Sequence, residues 1–163
     1  MRCVDATSGR VLKCVDAHSD EIWSLAVGNS ENVLVSGSSD HTLRVWDVDT
    51  WTANREALTG HTDEIICVAL SAEERIIASG SKDESVRLWS VQDRRQVCEP
   101  LIGHKFGVLF VVFNSDANLL YSAGHTEIIV WDVKSVSSGV SIIHRFDDSR
   151  MESPLSIVLN KDE

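Results

Sequence analysis

A chain of 163 residues with 43% hydrophobic content has the composition of one globular unit with a core to bury. Its formal charge of −10 argues against a nucleic-acid surface, which calls for clustered Lys and Arg. No apolar run approaches the roughly 18 residues of a membrane span, and the opening MRCVDATSGR lacks the apolar region of a secretory leader.

In chain order, Arg2–Gly9 reads as the end of a β unit whose outer strand is Val11–Val15, with Val4 lying 42 residues before Trp46. Three segments then align: HSDEIWSLAV from His18, HTDEIICVAL from His61 and HKFGVLFVVF from His104, at intervals of 43 and 43 residues. A second set keeps the same beat: SGSSDHTLRVWD from Ser36, SGSKDESVRLWS from Ser79 and SAGHTEIIVWD from Ser122. Two landmarks sharing one period identify a structural repeat. In the second unit the β-rich runs are Ile65–Leu70, Ile76–Ser79, Ser85–Trp89 and Gln96–Leu101, with a hairpin connection at Gly80–Glu84. The first run is almost wholly apolar and suits an inner strand buried on both faces, with wetter strands outside it. No helical stripe occurs. Past the third unit, the link His144–Ser149 leads to Ser156–Leu159, which matches Cys67–Leu70 and begins a further unit. The expected divisions are 1–16, 17–58, 59–101, 102–143 and 144–163.

Gly60-His61 and Gly103-His104, followed by Trp46-Asp47 and Trp131-Asp132, resemble the signature of WD-repeat (WD40) proteins. The resemblance covers residues 1 to about 134 well and the rest weakly. It implies an all-β fold of β-propeller blades, each a four-stranded antiparallel sheet: about three complete blades with partial ones at both ends. Such an arc is either a fragment of a longer propeller or pairs its open strand edges with another chain. The resemblance also implies that each blade's His, strand Ser, turn Asp and Trp form a hydrogen-bonded network. Those positions are His18, Ser36, Asp40 and Trp46, then His61, Ser79, Asp83 and Trp89. In the third repeat His104, Ser122 and Trp131 are present, but the turn is one residue shorter and has no Asp, which predicts a differently closed hairpin. The chemistry suits the role: an indole N–H only donates, a carboxylate only accepts, and hydroxyl and imidazole do both.

A nucleophilic Ser–His–Asp triad is the competing reading, but this set recurs once per repeat whereas an active site is made once. No phosphate loop is present. Cys3, Cys14, Cys67 and Cys98 form no CxxC pair, which argues against a metal site, and no cofactor is expected. Cys67 reads as a small buried hydrophobe, His41 and His125 as solvent-facing turn residues, and the compartment as reducing and cytoplasmic. By the resemblance, partners dock on the loop face, through residues after the His and before the turn Asp. These are Ser19, Glu21 and Ser39, then Thr62, Glu64 and Lys82, then Lys105 and Gly107. Asp20, Glu21, Asp63 and Glu64 would make this face acidic and suited to a basic peptide or protein surface. Trp51 is a further contact candidate. The expected function is a non-catalytic protein-binding scaffold. The phrase Cys98–His104 resembles linkers of WD arrays attached to NACHT-type signalling NTPases, and a truncated, non-functional copy is the third reading.

Overall fold

The computed structural model describes residues 2–5, 7–15, 18–30, 32–50, 52–53, 56–134, 136 and 139–147. The expected strand Ser156–Leu159 and Trp51 lie outside them. The described chain is all-β. A two-stranded antiparallel sheet joins β1 (Arg2–Val4) and β2 (Val11–Cys14). The first blade contains β3 (Ile22–Val27), β4 (Val33–Ser38) and β5 (Thr42–Asp47), and its outer strand is broken into β6 (Thr52–Ala53) and β7 (Leu58–Thr59), both paired with β5. The second contains β8 (Ile65–Leu70), β9 (Ile76–Ser81), β10 (Ser85–Ser90) and β11 (Leu101–Ile102). The third contains β12 (Phe110–Phe113), β13 (Leu119–Ala123), β14 (Glu127–Asp132) and β15 (Ser141–Asp147). Apart from β7, which pairs with β5, neighbouring strands are sequential, and all pairing is antiparallel.

The repeat fixes the registers as well as the strands. Ser36 pairs with Arg44, Ser79 with Arg87 and Ser122 with Ile129, so each repeat serine faces the middle of its blade's third strand. The hairpins before those strands close with His41 and Glu84 in the left-handed region, at φ 66° and 68°. The N–H of each donates to the carbonyl three residues back, Ser38 and Ser81.

Blades stack face to face. One core unites Val35, Leu43, Val45 and Leu58 of the first blade with Ile65, Val68, Ile77 and Trp89 of the second. The next unites Cys67, Ala78, Val86 and Leu88 with Val108, Val111, Phe113 and Leu120. The junctions are close: a Cβ on Gly37 would lie 2.7 Å from Ile65 Cγ2, and one on Gly80 would lie 2.6 Å from Val108 Cγ1. Ala123 fills the corresponding register position in the third blade.

Four details differ from the sequence expectations. The stretch Gln96–Leu101 is not a continuous strand. It contributes an isolated Trp89–Gln96 bridge, and β11 begins only at Leu101, after Pro100, which has no N–H to donate. Gly80 and Ser81 belong to β9, leaving only Lys82–Glu84 as the turn. The most completely buried strands are the middle ones, β9 and β10, because a first strand such as β8 lies at the edge of its sheet. Finally, His144–Asp147 are not a link: they continue β15, which pairs with β14 from Ser141 to Asp147 around a bulge.

Candidate functional site

Each blade carries one polar relay, built from its own residues. In the second blade the Trp89 Nε1–H donates to Ser79 Oγ (2.9 Å), Ser79 Oγ lies 2.7 Å from His61 Nε2, and His61 Nδ1 lies 2.8 Å from Asp83 Oδ2. In the first blade, Trp46 Nε1 lies 2.9 Å from Ser36 Oγ, Ser36 Oγ lies 2.7 Å from His18 Nε2, and His18 Nδ1 lies 2.9 Å from Asp40. Hydrogen-bond direction assigns the tautomer. Trp can only donate, so the serine hydroxyl is left to donate to Nε2, and Nδ1–H donates to the carboxylate. The carboxylates then gather further donors: Ser19 N–H (3.0 Å), Thr42 N–H and Thr42 Oγ1 on Asp40, and Thr62 N–H, Ser85 N–H and Ser85 Oγ (2.6 Å) on Asp83.

The third blade completes the relay differently. Trp131 Nε1–H donates to Ser122 Oγ (2.8 Å) and His104 Nε2 lies 2.7 Å from that oxygen. The missing Asp is replaced by Glu127. Its Oε1 lies 3.2 Å from His104 Nδ1 and accepts from the Lys105 N–H at 2.6 Å. Glu127 occupies the first position of the third strand, where Thr42 and Ser85 stand in the other blades, and its longer side chain brings a carboxylate back to the shortened turn. It is 1% exposed. Its second oxygen, Oε2, faces Arg145 Nη1 at 4.0 Å. Arg145 also donates to the Gly103 carbonyl. A guanidinium and an indole edge thus stand over Gly103, as Arg87 and Trp89 stand over Gly60. In both places a side chain on the glycine would meet them at 3.0–3.1 Å.

These relays are enclosed. His61, His104, Ser36, Ser79 and Ser122 are buried, and each serine oxygen is engaged by both Trp and His. A Ser–His–acid set arranged in this way offers no free nucleophile to a substrate. Burial pushes the His18 and His104 imidazoles below the ordinary 6.5, against the pull of Asp40 and Glu127. Burial alone would raise the two aspartates. Their hydrogen bonds outweigh it: from Thr42, Ser19 and His18 for Asp40, which titrates at about 2, and from His61, Ser85 and Thr62 for Asp83, which falls well below the carboxylate range. All four groups hold protons less tightly folded than unfolded, so acid favours the unfolded chain. Thermal melting followed by circular dichroism will show full stability above about pH 6.5. A first decline is expected below that value from the histidines, and a second from about pH 4 downward from the aspartates. A flat melting temperature from pH 7 to 3 would contradict the relay.

Around the relays, the loop residues form a connected row. Trp23 Nε1–H donates to Ser39 Oγ (2.6 Å), Ser39 Oγ donates to Glu64 Oε2 (3.2 Å), and Glu64 Oε1 pairs with Lys82 Nζ at 2.8 Å. The Lys82 Cα packs where a Gly107 side chain would stand, 3.1 Å away. This row crosses all three blades. Ser19, Glu21, Thr62, Lys82 and Lys105 are exposed; Glu64 and Gly107 are half-buried. Ser39, expected at the surface, is buried with its hydroxyl already committed. Lys105 Nζ lies 3.7 Å from Asp147. His41 and His125 are exposed, and Cys67 is a free, buried thiol that burial raises to about 12. Trp23, Glu127 and Arg145 were not singled out by sequence reasoning. A Glu opening the strand EIIVWD, just where the turn lacks its Asp, was the available signal for Glu127.

Family comparison matches the model described as WD domain, G-beta repeat, over residues 9–47, 53–90 and 95–132, most of the chain. The chain belongs to the WD40 family. Among curated WD40 relatives, eukaryotic translation initiation factor 3 subunit I of Schizosaccharomyces pombe is 37% identical over 43 residues, 26% of this chain and 13% of that protein. Human WD repeat-containing protein 3 is 29% identical over 49 residues, 30% of this chain and 5% of that one. Mitochondrial division protein 1 of Chaetomium globosum is 48% identical over 50 residues, 28% of this chain and 7% of that protein. The aligned stretch therefore spans a small part of each relative, about the length of one WD40 repeat. Among the described residues no helix is long and apolar enough to cross a membrane.

Proposed function

We propose that this WD40 chain is a non-catalytic, cytoplasmic scaffold that docks a protein partner on its loop face, through Ser19, Glu21, Thr62, Glu64, Lys82, Lys105 and Gly107. Ser39 acts beneath that surface as a brace. The observation that carries the reading is the Trp23–Ser39–Glu64–Lys82 row, which holds loops of successive blades in fixed relation. Rigid presentation lowers the entropy cost of binding. Occlusion of every relay serine supports a binding role over a hydrolytic one.

Pairing of Glu64 with Lys82 leaves Asp20, Glu21 and Asp63 as the loop-face carboxylates without a salt-bridge partner among the described residues, so a basic partner surface makes its charged contacts on the first two blades. The triple variant Glu21→Gln, Glu64→Gln, Lys82→Ala is expected to lose at least tenfold in partner captured from lysate, with its melting temperature little changed, since exposed charge pairs contribute about 0–1 kcal/mol. Unchanged capture would rule out this face. A narrower version, in which the repeats sense a ligand for an attached NACHT-type NTPase, rests on the Cys98–His104 phrase alone.

A further inference from the structure

Features that recur in every blade build the blade, whereas a departure made once is free to serve recognition. On the loop face the third blade departs from the other two at adjoining positions. Where Asp20 and Asp63 stand two residues after the relay histidine it has Phe106, and where Glu21 and Glu64 follow it has Gly107. Gly107 has a packing cause, since a side chain there would meet the Lys82 Cα at 3.1 Å. Phe106 has none: it belongs to no apolar core and is 52% exposed. His125, in the shortened turn, meets its ring edge-on, with centroids 6.4 Å apart and planes at 90°. Such a T-shaped pair holds both rings in a set orientation.

This position is open in flanked blades as well. Asp20 is exposed with the second blade stacked beside it, and Asp63 is half-buried with a blade on either side. The turn tips His41 and Glu84 are exposed like His125. Next to the aromatic pair the face is acidic. Asp20, Glu21 and Asp63 have no salt-bridge partner among the described residues. The Asp20 and Asp63 carboxylates each accept the N–H of the following residue, at 2.9 and 2.7 Å, which fixes their place on the loop. Lys105 adjoins Phe106 in the chain and reaches Asp147 at 3.7 Å. A partner cation over the Phe106 ring would meet that ammonium, so the complement of the ring is apolar.

We propose that the loop face takes a protein segment with a large aliphatic side chain on Phe106 and His125 and basic side chains on the first two blades. Stacked sheets lie about 10 Å apart. A polyproline II chain returns every third side chain to the same side at intervals of about 9 Å. One basic residue three positions from the anchor therefore reaches Asp63, and another three positions further on reaches Asp20 and Glu21. The three carboxylates disfavour a phosphate-bearing occupant by charge. The inference rests on the loop-face reading above and adds to it the anchor, the spacing and the order of contacts.

The probes are fluorescein-Gly-Lys-Pro-Pro-Lys-Pro-Pro-Leu amide and fluorescein-Gly-Leu-Pro-Pro-Lys-Pro-Pro-Lys amide, titrated against the full chain by anisotropy. Each has a twin with Ser in place of Leu. In one order or the other the Leu peptide is expected to bind saturably, at least tenfold more tightly than its twin. Phe106→Ala is expected to bring the Leu peptide to the level of the twin and to leave the twin unchanged. Since the ring is exposed, its melting temperature should not move. Asp63→Asn is expected to weaken both peptides alike, about two- to fivefold. Removing one Pro from each pair should weaken the Leu peptide about fivefold, because the anchor and the cations then no longer register together. No saturable binding in either order, equal binding of Leu and Ser peptides, a preference indifferent to Phe106→Ala, or full binding at the shortened spacing overturns the proposal. Equal binding that Asp63→Asn weakens would remove the anchor and leave the loop-face reading standing. Unchanged lysate capture by the triple variant would remove both.

Discussion

Ser79→Ala is expected to lower stability by about 2–4 kcal/mol although it removes a single oxygen, because that oxygen serves two buried partners. The Trp89 N–H loses its acceptor and His61 Nε2 loses its donor, with no water-facing route for either. The imidazole can answer only by changing tautomer, which would turn a lone pair towards Asp83 and break the 2.8 Å contact there. Denaturant unfolding followed by tryptophan fluorescence gives the value. The diagnostic measurement is the cycle with Trp89→Phe, which removes the donor beforehand. The serine truncation should then cost about 1–2 kcal/mol less in the Phe background than alone. Strict additivity of the two substitutions would mean that Trp, Ser and His do not act as a relay.

Gly80→Val is expected to cost about 3 kcal/mol, at the upper end of overpacking penalties. A Cβ at that point would lie 2.6 Å from Cys67 Sγ and from Val108 Cγ1, and 2.9 Å from Val108 Cβ. One of these atoms belongs to the same blade and the others to the next, so the damage falls on the junction. Accordingly, Val108→Ala should recover part of the loss when combined with Gly80→Val, even though it destabilises the parent chain by opening a cavity. Absence of any recovery would place the strain inside the second blade. Ala123 stands in the same register in the third blade and is tolerated there, which marks the glycine as a demand of blade stacking and not of the hairpin.

Strand layout was legible because β periodicity and turn chemistry are local properties, and both recur every 43 residues. Relay members were legible through residue type and spacing: His61, Ser79, Asp83 and Trp89 lie close in space because strand register converts a sequence interval into a cross-strand distance. What escaped was substitution across positions. Glu127 supplies from a strand the acid that the turn lacks, and Arg145 supplies from β15 the guanidinium that Arg87 supplies from β10. A pattern tied to fixed positions cannot register either exchange; only the shared three-dimensional target does. Outer strands were misjudged for a related reason. Gln96–Leu101 is apolar enough to suggest pairing, but Pro100 and the side-chain bond from Gln96 to the Cys98 carbonyl divert the backbone from the ladder.

Every relay closes within one blade, whereas polar ties between blades are few: the Glu74 carboxylate on Ser30, Asn29 on the Ala72 carbonyl, and the Val108 N–H on the Ser81 carbonyl among them. Polar order is accordingly settled inside each unit, while the seams are held by the two apolar cores that neighbouring blades share. Amide protons of β9 and β10, roofed by sheets on both sides, should be the last to exchange with heavy water, while those of β3 yield sooner. Each blade's stability is therefore tied to its immediate neighbours through shared apolar packing, so that a change in one blade is felt mainly by itself and the blades on either side.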